Sequence, residues 1–191
     1  MYRRINDIRR SDSMKRKKNL CFIFTVIITM LISTNLVSAY VPVGLKWSGS
    51  TFPISVTYKW GSNLGTSSVI RTAYQQALTD WNGAQMRIKF TESSSSSNEL
   101  NSYYVSSSSA YGYNDLYGTG TTYTKFMAFV NAGNSNITKT YVARSVAGHE
   151  LGHAMSLDEG NVLVSLMNQN RNRESIYTPK QDDLDGVNEQ Y

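Results

Sequence analysis

A short stretch near the C-terminal end, VAGHELGHAMSLDEG, holds both histidines of the chain. His149 and His153 are four residues apart with Glu150 between them, so on an α-helix the two imidazoles lie on one face. Such a pair can bind one Zn²⁺ ion, and a neighbouring carboxylate can take a proton from water that the ion has acidified. The spacing therefore predicts a hydrolytic metal site, with the two histidines as ligands and Glu150 as the general base.

A catalytic zinc site needs a third protein ligand, and histidine cannot supply it because none remains. The candidates are three carboxylates that follow the helix: Asp158, Glu159 and Glu174. The first two would come from the bend just beyond His153, whereas Glu174 would suit a site that takes a glutamate from a later helix. The residues around Glu174 lack a helical pattern, but residue types alone leave the choice open.

The N-terminal residues have the pattern of an export signal. MKRKKN (14–19) is basic, LCFIFTVIITMLI (20–32) is apolar, and VSA (37–39) is a small-residue cleavage site. We therefore predict a signal peptide over residues 1–39 and secretion, in the manner of a bacterial protein. The sole cysteine, Cys21, lies in this signal, so no disulfide is expected after cleavage.

Residues 40–191 are predicted to form one domain, which is long enough to build its own hydrophobic core. The chain has a net charge of +5, but residues 1–39 hold eight of the 19 basic and two of the 14 acidic side chains, which leaves −1 for the rest. That remainder offers no electrostatic basis for binding nucleic acid. We expect a monomer that acts on a protein or peptide substrate, with no nucleic-acid partner and no stable membrane association after signal cleavage.

The elements that must position these residues can be predicted from periodicity. Alternating, β-branched residues predict strands and apolar residues at helical spacing predict helices: strands over 51–60, 86–92 and 125–132, and helices over 67–82 and 140–155. The helix over 67–82 joins the first two strands, and this order predicts a right-handed crossover that makes the two strands parallel neighbours. The serine-rich region 93–120 is predicted to be loops around short strands. KFMAFVNA (125–132) is expected to be the edge strand on which an extended substrate adds.

The C-terminal part of the sequence resembles the metzincins, whose signature is H-E-x-x-H-x-x-G-x-x-H or -D. In this register Ser156 stands where the family has glycine, and Glu159 stands at the third-ligand position. Met167 of SLMN (165–168), eight residues after Glu159, resembles the methionine turn beneath the metal, with the spacing of the matrixin branch. YTPKQDDLDGVNEQY (177–191) is similar to the closing helix of bacterial matrixin-like proteases.

The resemblance implies an α+β, metzincin-like single domain. Its parts would be a twisted mixed sheet, an active-site helix, and a small C-terminal subdomain with the methionine turn and a final helix. It also implies a zinc endopeptidase in which Glu150 is the general base. The zinc ligands implied are His149, His153 and Glu159, with Asp158 as the alternative to Glu159.

Two residues depart from the family pattern. Glycine permits a positive φ after the second histidine, and Ser156 can adopt it at a cost of about 1 kcal/mol, which a local backbone hydrogen bond to its hydroxyl would offset in part. Glu159 replaces the family's histidine or aspartate. These departures motivate an alternative hypothesis, a degenerate protein that binds peptide or metal without turnover. Any calcium in the serine-rich region would be held by Asp115 and backbone carbonyls.

Overall fold

The computed structural model describes residues 43–65 and 68–191. The predicted signal peptide over 1–39 lies outside this part of the chain. Within the part that is described, no helix is long and apolar enough to cross a membrane. The described residues form a mixed α+β domain.

Its sheet has five strands among the described residues, in the order β2-β1-β3-β5-β4. Along the chain they are β1 (Ile54–Trp60), β2 (Ile88–Glu92), β3 (Glu99–Tyr103), β4 (Gly112–Thr119) and β5 (Thr122–Asn131). β1 pairs in parallel with β2 and β3, and β3 pairs in parallel with β5. Only the β4–β5 pair is antiparallel. The three predicted strands and the predicted parallel pair β1–β2 are confirmed.

The expectation that KFMAFVNA forms an edge strand is wrong. β5, which contains it, lies between β3 and β4, and β4 is the edge. A two-residue turn joins β4 to β5, and its Gly120 has a φ of 60°, which glycine adopts without the penalty of a Cβ atom. The bounds of β4 could not be predicted within the serine-rich region, because its residues, GYNDLYGT, include glycine and asparagine and none of them is buried.

Three α-helices lie in the described part of the chain: α1 (Val69–Ala84), α2 (Thr140–His153) and α3 (Gln181–Gln190). Both predicted helices are confirmed, within two residues at each end. Ser68 caps α1, since its hydroxyl oxygen accepts the backbone N–H of Arg71 at 3.0 Å. Trp81 of α1 is fully buried and its indole N–H donates to the carbonyl of Gly148 at 2.8 Å, which ties α1 to α2.

The helix that carries both histidines is a core element. It packs against α1, β4 and β5, and its residues from Ser145 to Gly152 are all buried. Small residues make this close packing possible. A Cβ atom at Gly152 would lie 2.3 Å from the sulfur of Met167, so any larger residue there would force this buried side chain to move. The histidines are therefore presented by a rigid, buried helix rather than by a loop.

Candidate metal centre

His149, His153 and Glu159 come together at the end of α2. The Oε1 atom of Glu159 lies 3.1 Å from Nε2 of His149 and 3.9 Å from Nε2 of His153. One ligand atom from each of the three lies within 4.8 Å of the others, and no second such group is found in residues 43–65 and 68–191. Ligands at 2.0–2.2 Å from a tetrahedral ion are about 3.4 Å apart, so these separations suit one shared ion.

Each imidazole is oriented by a backbone carbonyl on its other nitrogen. Nδ1 of His149 is 2.9 Å from the oxygen of Leu166, and Nδ1 of His153 is 2.7 Å from the oxygen of Leu157. Because a carbonyl only accepts, each Nδ1 carries the proton and each Nε2 keeps its lone pair toward Glu159. Burial lowers the pKa of both imidazoles, which favours the neutral form that binds metal.

Glu159 is delivered by a bend that closes α2. The N–H of Leu157 bonds to the carbonyl of Gly152 at 3.2 Å, and the N–H of Ser156 bonds to that of His153 at 3.0 Å, which is a Schellman motif. Ser156 has a φ of 75°, so it takes the left-handed conformation expected of the family's glycine. Its hydroxyl donates to the distant carbonyl of Leu45 rather than to a local one.

The two other candidate ligands lie elsewhere. The carboxylate of Asp158 accepts the N–H of Glu159 at 2.8 Å and so supports the bend. Glu174 is exposed and pairs with Lys139. By contrast, Oε2 of Glu159 is buried and has no hydrogen-bond partner, as expected of an oxygen placed for a cation. Of the three carboxylates, the structure brings Glu159 to the histidines.

Glu150 lies beside the cluster with its carboxylate buried. The Nδ2 atom of Asn114, on β4, donates to Oε2 of Glu150 at 2.7 Å and to its carbonyl at 2.9 Å. Burial raises the Glu150 pKa to about 7, partly opposed by His153 and Asn114. A Cβ at Gly112 would lie 2.6 Å from Oε1 of Glu150, so β4 passes directly over this carboxylate. A carboxyl group with this pKa can both take and return a proton near neutral pH.

The methionine predicted to lie beneath the metal is buried against α2, with its sulfur close to Gly152. Asp183, at the start of α3, holds the turn around Met167. Its fully buried carboxylate accepts the N–H groups of Leu166 at 2.9 Å and Met167 at 3.1 Å, and the hydroxyl of Ser165 at 2.6 Å. The same turn supplies the carbonyl that orients His149, so Asp183 acts on the histidine through the backbone.

Arg171 is a buried cation behind His149. Its Nη1 lies 3.1 Å from Nδ1 of His149 and 3.1 Å from the carbonyl of Asn168, while Nε donates to the hydroxyl of Ser145 at 2.9 Å. Because Nδ1 of His149 donates its proton to the carbonyl of Leu166, it cannot accept a hydrogen bond from Arg171. Nη1 of Arg171 donates instead to the carbonyl of Asn168. Burial lowers the Arg171 pKa to about 10, and the group stays charged at neutral pH.

Around these groups is a cleft of about 660 Å³. It is lined by residues 108–114, by the histidine end of α2, and by loop residues from Asp158 to Arg173. Asp115, the residue expected to hold calcium, lies on β4 opposite Met127 and belongs to no cluster of three such side chains in the described residues. The described chain thus has one candidate metal centre, set in an open cleft.

Comparison with known proteins assigns no family. No family description and no curated protein matches the chain. Among solved structures, one titled "GM1 bound form of the ECX AB5 holotoxin" matches with a TM-score of 0.48 and 13% sequence identity, covering 70% of this chain and 78% of that chain. At this identity and TM-score the match does not assign a family or a function.

Proposed function

We propose that the chain is a secreted zinc endopeptidase with a metzincin-like fold, similar to bacterial matrixin-like proteases. The observation that carries the proposal is the convergence of His149, His153 and Glu159 next to the buried carboxyl group of Glu150. A metal site alone would be compatible with many functions. The general base beside it, in a cleft open to a polymer, favours hydrolysis of internal peptide bonds.

The donor set fits Zn²⁺. Two imidazoles and one carboxylate form the His₂Glu set of several zinc hydrolases, which leaves a coordination position open. The lone pairs of both Nε2 atoms face the carboxylate of Glu159, and Oε2 of Glu159 has no other partner. Three protein ligands within 4.8 Å of one another need only a small inward movement to meet one ion.

Bound zinc would supply Lewis acidity, which lowers the pKa of water and polarises the scissile carbonyl. The protein's own part lies with Glu150. Because Asn114 donates to Oε2, the oxygen left to accept the proton of water is Oε1. The raised Glu150 pKa allows the same group to return that proton to the leaving amine. Asn114 keeps the carboxylate pointed in one direction through both steps.

We propose that the substrate adds to β4. This strand is one of the two edges of the described sheet, and its residues Gly112 to Asn114 line the cleft beside Glu150. An extended peptide that pairs with the edge would place a backbone carbonyl near the cluster without a specific side chain. Gly112 allows β4 to run this close to Glu150, because a side chain at this position would collide with the carboxylate.

The test is casein hydrolysis by purified protein whose zinc content has been measured. We expect one zinc per chain, and a loss of at least about 100-fold in rate when Glu150→Gln removes the base. Glu189→Gln, the same change at an exposed position of α3, is the matched control and should keep full activity. If the zinc-loaded protein cleaves casein no faster than the Glu150→Gln variant, the enzyme proposal fails and the degenerate, binding-only alternative is favoured.

A further inference from the structure

Arg173 is a cation of the cleft that the proposed hydrolysis does not use. It belongs to the segment between Met167 and α3, and it lines the cleft together with Gln169 and Tyr111. Burial lowers the pKa of Arg173, and Tyr111, Glu159 and Glu150 oppose this shift, so its guanidinium lies within electrostatic range of the reacting groups. Arg173 therefore lies in the cleft that a peptide substrate would occupy.

The Arg173 side chain is already held in position. Its guanidinium carbon lies 4.1 Å from the centre of the Tyr111 ring, which is a cation–π contact. Its Nη2 donates to the carbonyl of Gln169 at 2.9 Å. A guanidinium fixed by a ring on one face and a carbonyl at one corner loses little further freedom when it binds a ligand.

The charge of Arg173 has no carboxylate partner in the described residues. Three other cations, Lys59, Lys139 and Arg144, each form an ion pair with an acidic side chain, whereas no carboxylate oxygen of residues 43–65 or 68–191 lies within 4.0 Å of Arg173. Its Nε atom is buried and has no hydrogen-bond partner. Nη1, by contrast, is neither buried nor hydrogen-bonded among the described residues, so an acceptor in the cleft can reach it.

The structure assigns Arg173 as a binding group for a carboxylate side chain of the substrate, so that the enzyme prefers peptides with Asp or Glu near the scissile bond. The inference rests on the proposed endopeptidase function and adds a substrate class to it. Nη1 and the second N–H of Nη2 lie in one plane and match the two oxygens of a carboxylate. Arg171 is unsuited to this role because it is buried and each of its three nitrogens already donates to the Ser145 hydroxyl, the Asn168 carbonyl or the Ser145 carbonyl.

The experiment uses pairs of fluorescent peptides that differ by a single Glu or Gln, stepped along both sides of the cleaved bond. With the zinc-loaded protein, kcat/KM should favour Glu over Gln by about ten-fold at one position, as expected of a charge-assisted hydrogen-bonded pair. Arg173→Gln should abolish this preference and Arg173→Glu should favour a Lys peptide instead. Arg71→Gln is the matched control, since Arg71 stacks on Trp60 at 4.2 Å but does not line the cleft.

A second readout separates this inference from the function on which it rests. The same peptides are titrated by fluorescence anisotropy into the Glu150→Gln variant, which binds without turnover. Tighter binding of the Glu peptide that Arg173→Gln removes supports the inference, even if no peptide is cleaved and the endopeptidase proposal falls. Equal binding and equal cleavage of the Glu and Gln peptides at every position would overturn the inference while leaving hydrolysis intact.

Discussion

Replacing Ser156 by glycine and by alanine separates two opposing contributions at the bend that delivers Glu159. At a φ of 75° a residue with a Cβ atom loses about 1–2 kcal/mol relative to glycine. The Ser156 hydroxyl compensates through its hydrogen bond to the carbonyl of Leu45, worth about 1 kcal/mol. Glycine also has a more flexible unfolded chain, which lowers the free energy of unfolding by about 0.4–1 kcal/mol.

For Ser156→Gly these contributions nearly cancel, and we expect a free energy of unfolding within about 1 kcal/mol of wild type. Ser156→Ala keeps the unfavourable φ and removes the hydroxyl. The carbonyl of Leu45 then loses its side-chain donor at a half-buried position, so we expect a loss of about 1–2 kcal/mol. Alanine should therefore be less stable than glycine, the reverse of the order in an ordinary helix or loop.

The assay is urea unfolding of the metal-free protein, with the three proteins compared at a common m value. The same pair of changes at Ser107, an exposed loop residue, is the control and should alter stability by less than about 0.5 kcal/mol. If Ser156→Ala is as stable as wild type, the hydroxyl bond contributes nothing. If Ser156→Gly is the least stable of the three, the strain assigned to this φ is wrong.

Three further predictions concern the groups around the bend. The Glu150 pKa rises from 4.5 to about 7 on folding, so its contribution to stability is present below pH 4.5 and is lost as the pH rises through 7. Between pH 5 and 8, the free energy of unfolding of metal-free wild type should therefore fall by about 2.5 kcal/mol relative to that of Glu150→Gln, measured by urea unfolding. Parallel pH profiles of the two proteins would contradict this. Gly152→Ala forces a Cβ against the buried sulfur of Met167, so it should lower the free energy of unfolding by about 1–3 kcal/mol and lower the melting temperature. The control is Gly83→Ala on α1, where the added Cβ meets open space and the melting temperature should rise slightly. Asp183→Asn leaves one acceptor oxygen for several donors, so the free energy of unfolding should fall by about 2–3 kcal/mol. The affinity for zinc, measured by titration with a chelator, should also fall. An unchanged affinity would exclude a role for Asp183 in orienting the histidine.

The local pattern of the site could be predicted from sequence because it depends on helical spacing. Two histidines at i and i+4 must share a face wherever the helix lies, and the structure indeed places His149 and His153 with their rings 4.7 Å apart. The third ligand could not be derived in this way. Asp158 and Glu159 are adjacent, and the φ of Ser156 decides which of them turns toward the histidines.

Groups that act from a distance left no signal in the sequence. Asn114 reaches Glu150 from one of the short strands that were predicted within 93–120 without bounds, and Arg171 reaches His149 from an aperiodic segment. The sequence shows Asp183 only as an acidic residue near the start of the last helix, whereas its carboxylate accepts the backbone N–H groups of the turn around Met167. The order of the strands in the sheet could not be predicted either. Alternation of apolar and polar residues identifies β5 as a strand, but it does not show that β4 pairs with its outer edge.

The most direct test of the central claim is an anomalous difference map at the zinc absorption edge, from a crystal of the zinc-loaded protein. We expect a single strong peak about 2.0–2.2 Å from Nε2 of His149, Nε2 of His153 and a carboxylate oxygen of Glu159. A peak that is bound instead by Asp158, or no peak between the two histidines after zinc loading, would contradict the account.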